Sequence, residues 1–124
     1  MSTLFQRVGG EAWFIELVDR FYDRVEQDPL LRPMYPEDLS GPRHRLAAFL
    51  AERWGGPPAY SEERGHPRLR MRHFPFPIDP GARDAWVRHM TQAVGAGGLS
   101  KGDRAGLLAY FESAATMVVN RPAP

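Results

Sequence analysis

Clusters of proline and glycine constrain the fold of this chain more than any other feature of its sequence. The 12 prolines and 12 glycines fall largely in groups, at positions 9–10, 28–36, 55–58, 74–80 and 97–98. A helix cannot easily continue through such a group, because proline lacks an amide N–H and clashes with the preceding turn. Between the groups, apolar residues recur every three or four positions, and no segment alternates long enough to predict a strand. The sequence therefore predicts an all-α protein with about five substantial helices.

Local signals indicate where these helices begin. Pro42 follows Ser40-Gly41, and Pro80 follows Asp79, which places both prolines in a first helical turn where the missing N–H has no cost. Ser100 with Asp103 resembles a capping box. The predicted helices span residues 3–8, 11–27, 40–54, 67–73, 79–96 and 100–119, and the polar stretch that ends at residue 66 is expected to be irregular.

Length and composition narrow the class of protein. A chain of 124 residues fits a single domain over residues 1–124. The absence of cysteine excludes disulfides, zinc–thiolate sites and cysteine-ligated clusters, and it agrees with a reducing cytosol. A formal net charge of +1 is too small an excess of positive charge to indicate binding to nucleic acid or to an anionic membrane. No apolar run approaches membrane-spanning length. We expect a cytoplasmic protein with no nucleic acid and no membrane partner, and the oligomeric state stays open.

Three hydrogen-bond donors accompany the apolar stripes of the predicted helices. Tyr22, Tyr35 and Trp86 each lie on or beside such a stripe, and each needs a polar partner when it is buried. Taken singly, each is more often a core aromatic residue than part of a binding site. The residues alone therefore predict a donor-rich interior and leave its purpose open.

Four histidines are candidate metal ligands or bases. His44 is expected to be exposed, His66 precedes a proline and suits a helix-capping role, and His89 is expected at the edge of its helix face. His73 differs because it ends a short helix and is followed by bulky aromatic residues. No pair has the spacing of a zinc site, and a lone histidine is more often structural than a ligand. Taken this far, the sequence predicts a compact α-domain with one unusual histidine.

Several segments together resemble the group II truncated haemoglobins, and the resemblance covers nearly the whole chain. The longest of them runs from Tyr60 to His73, and Trp86 follows His73 by thirteen positions. The other matching segments are Val8-Gly9-Gly10, Phe21-Tyr22, the stretch 31–38 with sequence LRPMYPED, Trp54-Gly55-Gly56-Pro57 and Arg83-Asp84-Ala85-Trp86.

The resemblance implies a globin-like two-over-two helical sandwich around heme b (iron protoporphyrin IX). His73 resembles the proximal histidine that binds iron and leaves the sixth position open. Tyr22, Tyr35 and Trp86 resemble the distal donors that stabilise a partially negative diatomic ligand in a low-dielectric pocket. The ligands implied are oxygen, carbon monoxide and nitric oxide, with a reductase as a further possible partner.

The resemblance also implies residues that hold the porphyrin. Arg72 and Tyr60 resemble the groups that meet the haem propionates. The apolar wall is expected to come from Leu46, Phe49, Leu50, Leu69, Phe76 and Ile78. Pro42 departs from the family, because it stands where relatives usually place a small residue at the distal entrance.

Three functions follow as hypotheses. The first is reversible binding of oxygen or a related diatomic ligand. The second is an enzyme on the same haem, for nitric oxide dioxygenation or peroxidase-like chemistry, which the same donors would assist. The third is a cofactor-free helical interaction module, in which the three donors only fill the core.

Overall fold

A computed structural model describes residues 2–123, and within them all regular structure is helical. The seven α-helices are α1 (Leu4–Arg7), α2 (Glu11–Glu26), α3 (Ser40–Arg53), α4 (Ala59–Arg64), α5 (Leu69–His73), α6 (Pro80–Gly95) and α7 (Lys101–Met117), and Arg32–Met34 forms a 3₁₀ turn. The prediction of an all-α protein is confirmed, and the long helices α2, α3, α6 and α7 lie close to where the sequence predicted them.

Capping side chains begin the helices at the positions that the sequence indicated. The Asp79 carboxylate accepts a hydrogen bond from the Ala82 N–H at 2.8 Å, and Pro80 occupies the first turn of α6. The Ser100 hydroxyl accepts from the Asp103 N–H at 3.2 Å at the start of α7. These bonds satisfy amide groups that have no partner inside the helix, so the helix starts are encoded locally.

The four long helices pack as two pairs. Helix α2 lies against both α3 and α6, and α6 lies against α7, so that the pairs enclose one core. Residues that are almost completely buried come from every long helix: Phe14, Leu17, Phe21, Leu50, Met90, Leu107 and Phe111. This arrangement is the two-over-two sandwich that the family resemblance implied.

Glycine is required where α1 meets the end of α3. The Phe5 N–H donates to the Trp54 carbonyl at 3.0 Å, which brings the first turn against the loop after α3. Gly55 has a φ of 103°, and a Cβ there would lie 2.4 Å from the Thr3 side chain. Any larger residue would therefore force the two segments apart.

The structure corrects the prediction that the polar stretch after residue 58 is irregular. Helix α4 forms there because long-range contacts support it: Tyr60 is buried against Phe49, and the Glu52 carboxylate accepts from the Ser61 N–H at 2.9 Å. Helix α5 begins at Leu69 rather than at residue 67, since Arg68 adopts a left-handed conformation with φ 47°.

The expectation that His89 lies at the edge of its helix face is also wrong. His89 is buried with 7% of its surface exposed, and its Nε2 lies 2.6 Å from the Asp28 carboxylate. The Arg24 guanidinium donates to His89 Nδ1 at 3.2 Å, so Nε2 must carry the proton and donate to Asp28.

Among residues 2–123, no helix is long and apolar enough to cross a membrane.

Candidate functional site

A cavity of about 530 Å³ opens between the helix pairs, and every residue to which the family resemblance assigned a role at the site lines it. The volume is in the range of cavities that take a small molecule or cofactor. The structure thus brings together residues that are up to 64 positions apart along the chain, from 22 to 86. The predicted site residues in this lining are Tyr22, Tyr35, Leu46, Phe49, Leu50, Tyr60, Leu69, Arg72, His73, Phe76, Ile78 and Trp86.

His73 is the one histidine in this lining, within the residues that the structure describes. Its Nδ1 lies 2.6 Å from the carbonyl oxygen of Leu69, one turn earlier on α5. A carbonyl oxygen only accepts, so Nδ1 carries a proton, and in the neutral imidazole Nε2 then holds the free lone pair. This tautomer is the one in which a histidine can bind a metal through Nε2.

Asn120 holds the segment around His73, a role that the sequence did not reveal. Its side-chain amide donates to the carbonyls of His73 at 3.2 Å and Phe76 at 2.9 Å. Its amide oxygen accepts from the Ile78 N–H at 2.9 Å, and its own N–H donates to the Ile78 carbonyl at 2.9 Å. The sequence identified Asn120 only as the end of the last helix, because contacts over more than forty residues leave no local signal.

Three donors lie together on another side of the cavity. The rings of Tyr22 and Tyr35 meet edge to face with centroids 5.5 Å apart. Trp86 packs between Phe21 and Phe111, with ring centroids 5.0 and 5.7 Å away. The aromatic packing determines the direction of the indole N–H, whereas the hydroxyls can rotate.

The protonation of both tyrosines follows from their surroundings. Burial raises the pKa of Tyr22 far above its ordinary range, and the Tyr35 ring adds to this shift. Burial also raises the pKa of Tyr35 to about 12, and the interaction with Trp86 opposes that rise. Both hydroxyls therefore remain protonated, and able to donate, throughout the neutral pH range.

Arg43 supports Tyr22 from outside the cavity, a role that no sequence pattern indicated. Its guanidinium carbon lies 5.7 Å from the centre of the Tyr22 ring. The same guanidinium donates to the Asp19 and Asp23 carboxylates, each at 3.0 Å. It therefore ties α3 to α2 directly behind the tyrosine.

Four arginines contribute the charged part of the cavity wall. Arg72 comes from α5 and donates to the Arg64 carbonyl at 3.3 Å, and both residues line the cavity together with Arg45 and Arg83. Tyr60 is 7% exposed and packs its ring against Phe49, with centroids 5.3 Å apart. The cavity thus combines a mostly apolar wall with several permanent positive charges.

Part of the wall comes from residues that the sequence did not single out for the site. Phe111 and Ala114 of α7, and Val118 directly after it, belong to an apolar stripe with helical spacing, and apolar periodicity does not distinguish a core face from a cavity wall. Pro42, in the first turn of α3, is buried and also lines the cavity. The further lining residues are Leu31, Met34, Pro36, Arg45, Arg64, Ala82, Arg83, Tyr110, Phe111, Ala114, Ala115 and Val118.

These residues fit a haem. The free Nε2 of His73 would bind the iron, the apolar walls would cover the porphyrin faces, and the arginines would pair with its carboxylates. No group of three or more His, Cys, Asp or Glu side chains that could hold a metal ion occurs within residues 2–123. Two helix pairs packed around such a cavity are the architecture of a globin-type haem protein.

Comparisons with known proteins agree with this class. The model of the bacterial-like globin family matches residues 3–120, and the chain belongs to that family. A group 2 truncated hemoglobin of Bacillus subtilis is 44% identical over 112 residues, which are 90% of this chain and 85% of the relative. Membership implies a haem cofactor, and the resemblance to group II truncated haemoglobins is confirmed.

Solved structures agree equally well. The hemoglobin of the thermophilic phototrophic bacterium Chloroflexus aurantiacus has a TM-score of 0.95 and 48% identity, over 98% of this chain and 100% of that one. The truncated oxygen-avid haemoglobin of Bacillus subtilis has a TM-score of 0.89 and 41% identity, over 96% of this chain and 100% of that one.

Proposed function

We propose that this chain holds a b-type haem through His73 and binds oxygen reversibly opposite Tyr22, Tyr35 and Trp86. The observation that carries the proposal is the arrangement of the cavity. A histidine with a free Nε2 and three hydrogen-bond donors line the same cavity. The haem iron supplies a coordination position that takes oxygen, carbon monoxide or nitric oxide.

On the proximal side the chain holds His73 in one orientation. The Nδ1–H donates to the Leu69 carbonyl, which fixes both the tautomer and the ring plane and makes Nε2 a better ligand. The Asn120 side chain forms three hydrogen bonds to the backbone of residues 73–78 and so holds the His73 imidazole in place in the cavity wall. Helix α5 is only five residues long and would not hold this position by itself.

On the distal side the chain supplies donors that keep their protons. Burial raises the pKa of both Tyr22 and Tyr35, and an indole N–H does not titrate at all in this range. Donors held in a low-dielectric cavity favour a ligand that carries partial negative charge. This arrangement supports oxygen as the preferred ligand over carbon monoxide, which is less polarised.

Arginine side chains are proposed to hold the haem carboxylates. Arg72 shares with His73 the face of α5 that lines the cavity, and Arg64 lies beside it. Charge-assisted bonds of this kind are stronger than neutral ones and orient a planar group. Tyr60 is proposed as a further contact, because it is buried at the cavity against Phe49.

Reversible carriage or storage of oxygen is the proposed role. The Bacillus subtilis relative whose structure is described as oxygen-avid supports it. We also propose that residues 1–124 act as one domain, since every long helix contributes to one core. A cytoplasmic location is part of the proposal, and the lack of cysteine agrees with it.

The absorption spectrum of the purified protein tests the proposal. We expect a Soret band, together with reversible spectral changes when the ferrous protein is exposed to oxygen and then to carbon monoxide. A protein that takes up no haem would instead be a helical interaction module. Rapid turnover of nitric oxide or peroxide, sustained by a reductase, would replace the carrier role by an enzymatic one.

A further inference from the structure

Helix α5 has two faces with different exposure. Leu69, Arg72 and His73 follow helical spacing, are partly buried and line the cavity. Met71 and Phe74 lie three positions apart on the opposite side, with 59% and 68% of their surface exposed. The backbone of Phe74 is helical, so this spacing places the two residues next to each other. The helix that presents His73 therefore carries an apolar pair on its outer face.

Exposed large apolar residues are concentrated at this helix. Among residues 2–123, six such residues stand out, and three of them fall within positions 71–76. A contiguous exposed apolar patch with a polar rim is typical of an interaction surface, whereas single exposed residues are ordinary. Phe76 lines the cavity, which leaves Met71 and Phe74 without a role inside the protein.

Positive charge surrounds this apolar pair. Arg64, Arg68, Arg70 and Arg72 lie within nine positions, and no acidic residue occurs from 64 to 78. Within the described residues, none of the four forms a salt bridge, whereas Arg7, Arg43 and Arg83 each pair with a carboxylate. The cavity accounts for Arg64 and Arg72. Arg68 and Arg70 are exposed, and their charge is left uncompensated.

We infer that Arg68, Arg70, Met71 and Phe74 form a docking surface, the outer α5 surface, for a small acidic one-electron carrier protein. The inference rests on the proposed function. Carboxylates of the partner would pair with the two arginines, and its apolar centre would cover Met71 and Phe74. One electron passes from the reduced carrier to the ferric iron, which becomes ferrous while the carrier is oxidised, and no bond is made or broken.

The position of the outer α5 surface suits this transfer. An α-helix with its side chains is about 10–12 Å across, so a partner seated on Phe74 lies roughly one helix diameter from the His73 imidazole. A partner that docked on the distal side would be separated from the cavity by helices α2 and α3. Because the donors and Pro42 occupy that side, electron entry through α5 leaves the ligand route free.

Titration with an acidic plant-type [2Fe–2S] ferredoxin tests the inference on the haem-loaded protein. Calorimetry of the oxidised ferredoxin gives the Kd, and stopped-flow reduction by the reduced ferredoxin gives the rate. We expect Arg70→Glu and Phe74→Ser each to raise the Kd by about five- to tenfold at low ionic strength and to slow reduction in proportion. The Arg70→Glu effect shrinks at 0.15 M salt, where the Debye length falls to about 8 Å.

Matched controls separate this surface from general charge. Arg104→Glu makes the same charge change near the start of α7, and at about 1.5 Å per residue it lies about 20 Å from the end of that helix, which adjoins His73. Ile15→Ser removes an exposed apolar side chain from α2. Both controls should bind and be reduced as the unchanged protein is, and all variants should be reduced equally fast by dithionite.

Other outcomes overturn the inference. Equal weakening by Arg70→Glu and Arg104→Glu would mean nonspecific attraction. Self-association that Phe74→Ser abolishes in sedimentation velocity would make the surface a contact between two copies of the chain. A chain that takes up no haem refutes the proposed function, and the calorimetric titration then decides the docking surface alone, since its residues face away from the cavity.

Discussion

Replacing Trp86 with phenylalanine removes one hydrogen-bond donor from the cavity and keeps an aromatic ring in place. The indole packs between Phe21 and Phe111, with ring centroids at 5.0 and 5.7 Å. A phenyl ring retains most of these contacts, so the helix pairs should still close around the cavity. The variant therefore tests the indole N–H rather than the packing of the core.

The size of the effect follows from the kind of bond that is lost. A hydrogen bond contributes about 1 kcal/mol net to a neutral acceptor and about 1.5–3 kcal/mol to a charged one. Because about 1.4 kcal/mol is a factor of ten, the oxygen off-rate should rise between about fivefold and about a hundredfold. The Tyr22 and Tyr35 hydroxyls line the same cavity and can rotate towards the ligand after the substitution, which offsets part of the loss. We therefore expect a rise of about tenfold.

The assay compares two ligands in the same variant. Bound carbon monoxide is less polarised than bound oxygen, so its off-rate should change by about twofold or less. Trp54→Phe is the matched control, because Trp54 packs on Tyr110 and lies outside the cavity lining. If stopped-flow measurements show the same change in both off-rates for Trp86→Phe, the donor role of Trp86 is refuted.

Three further predictions concern the proximal side and the fold. His73→Gly should abolish stable haem binding, and added imidazole should restore a ferrous spectrum. The control His44→Gly changes an exposed histidine and should keep its haem. A normal spectrum of His73→Gly without imidazole would exclude His73 as the iron ligand. Arg72→Ala should speed haem transfer to apomyoglobin by about fivefold without abolishing binding, and an unchanged rate would mean that Arg72 is only solvated. The hydrogen bond from His89 holds the pKa of Asp28 below its usual 3.8, so the pair stabilises the fold above that pH and loses its effect as the pH falls through the lowered pKa. Asp28→Asn should lower the Tm by about 5 °C at pH 7 and by much less once the pH lies below the lowered pKa of Asp28, and an equal loss in both ranges would contradict the pairing.

Much of the helical framework could be predicted from local sequence. Asp79-Pro80 and Ser100 cap their helices through bonds to residues only three positions away, so the signal lies in adjacent positions. Helix α4 was missed for the opposite reason. Its six residues have weak periodicity, and Tyr60 and Ser61 are held by Phe49 and Glu52 from the preceding helix.

The cavity residues were predicted largely through resemblance to a family, and their roles stay predictions. Residues that support the site from a distance had no such signal. Asn120 reaches the carbonyl of His73 across 47 positions, and Arg43 reaches Asp19 across 24. Such contacts depend on how the helices pack, and neither asparagine nor arginine at a helix end differs locally from a solvated side chain.

The two central histidines show what each level decided. The sequence by itself determined that helices end near His73 and run through His89, because proline, glycine and capping residues act within a few positions. Only the tertiary structure decided their chemistry. Folding brings Asp28 and Arg24 to His89 and occupies both of its ring nitrogens. The Nδ1 of His73 instead bonds to a carbonyl of its own helix, and its Nε2 stays free. The difference between the two histidines depends on which side chains other segments bring near, and this is settled only when the helices pack.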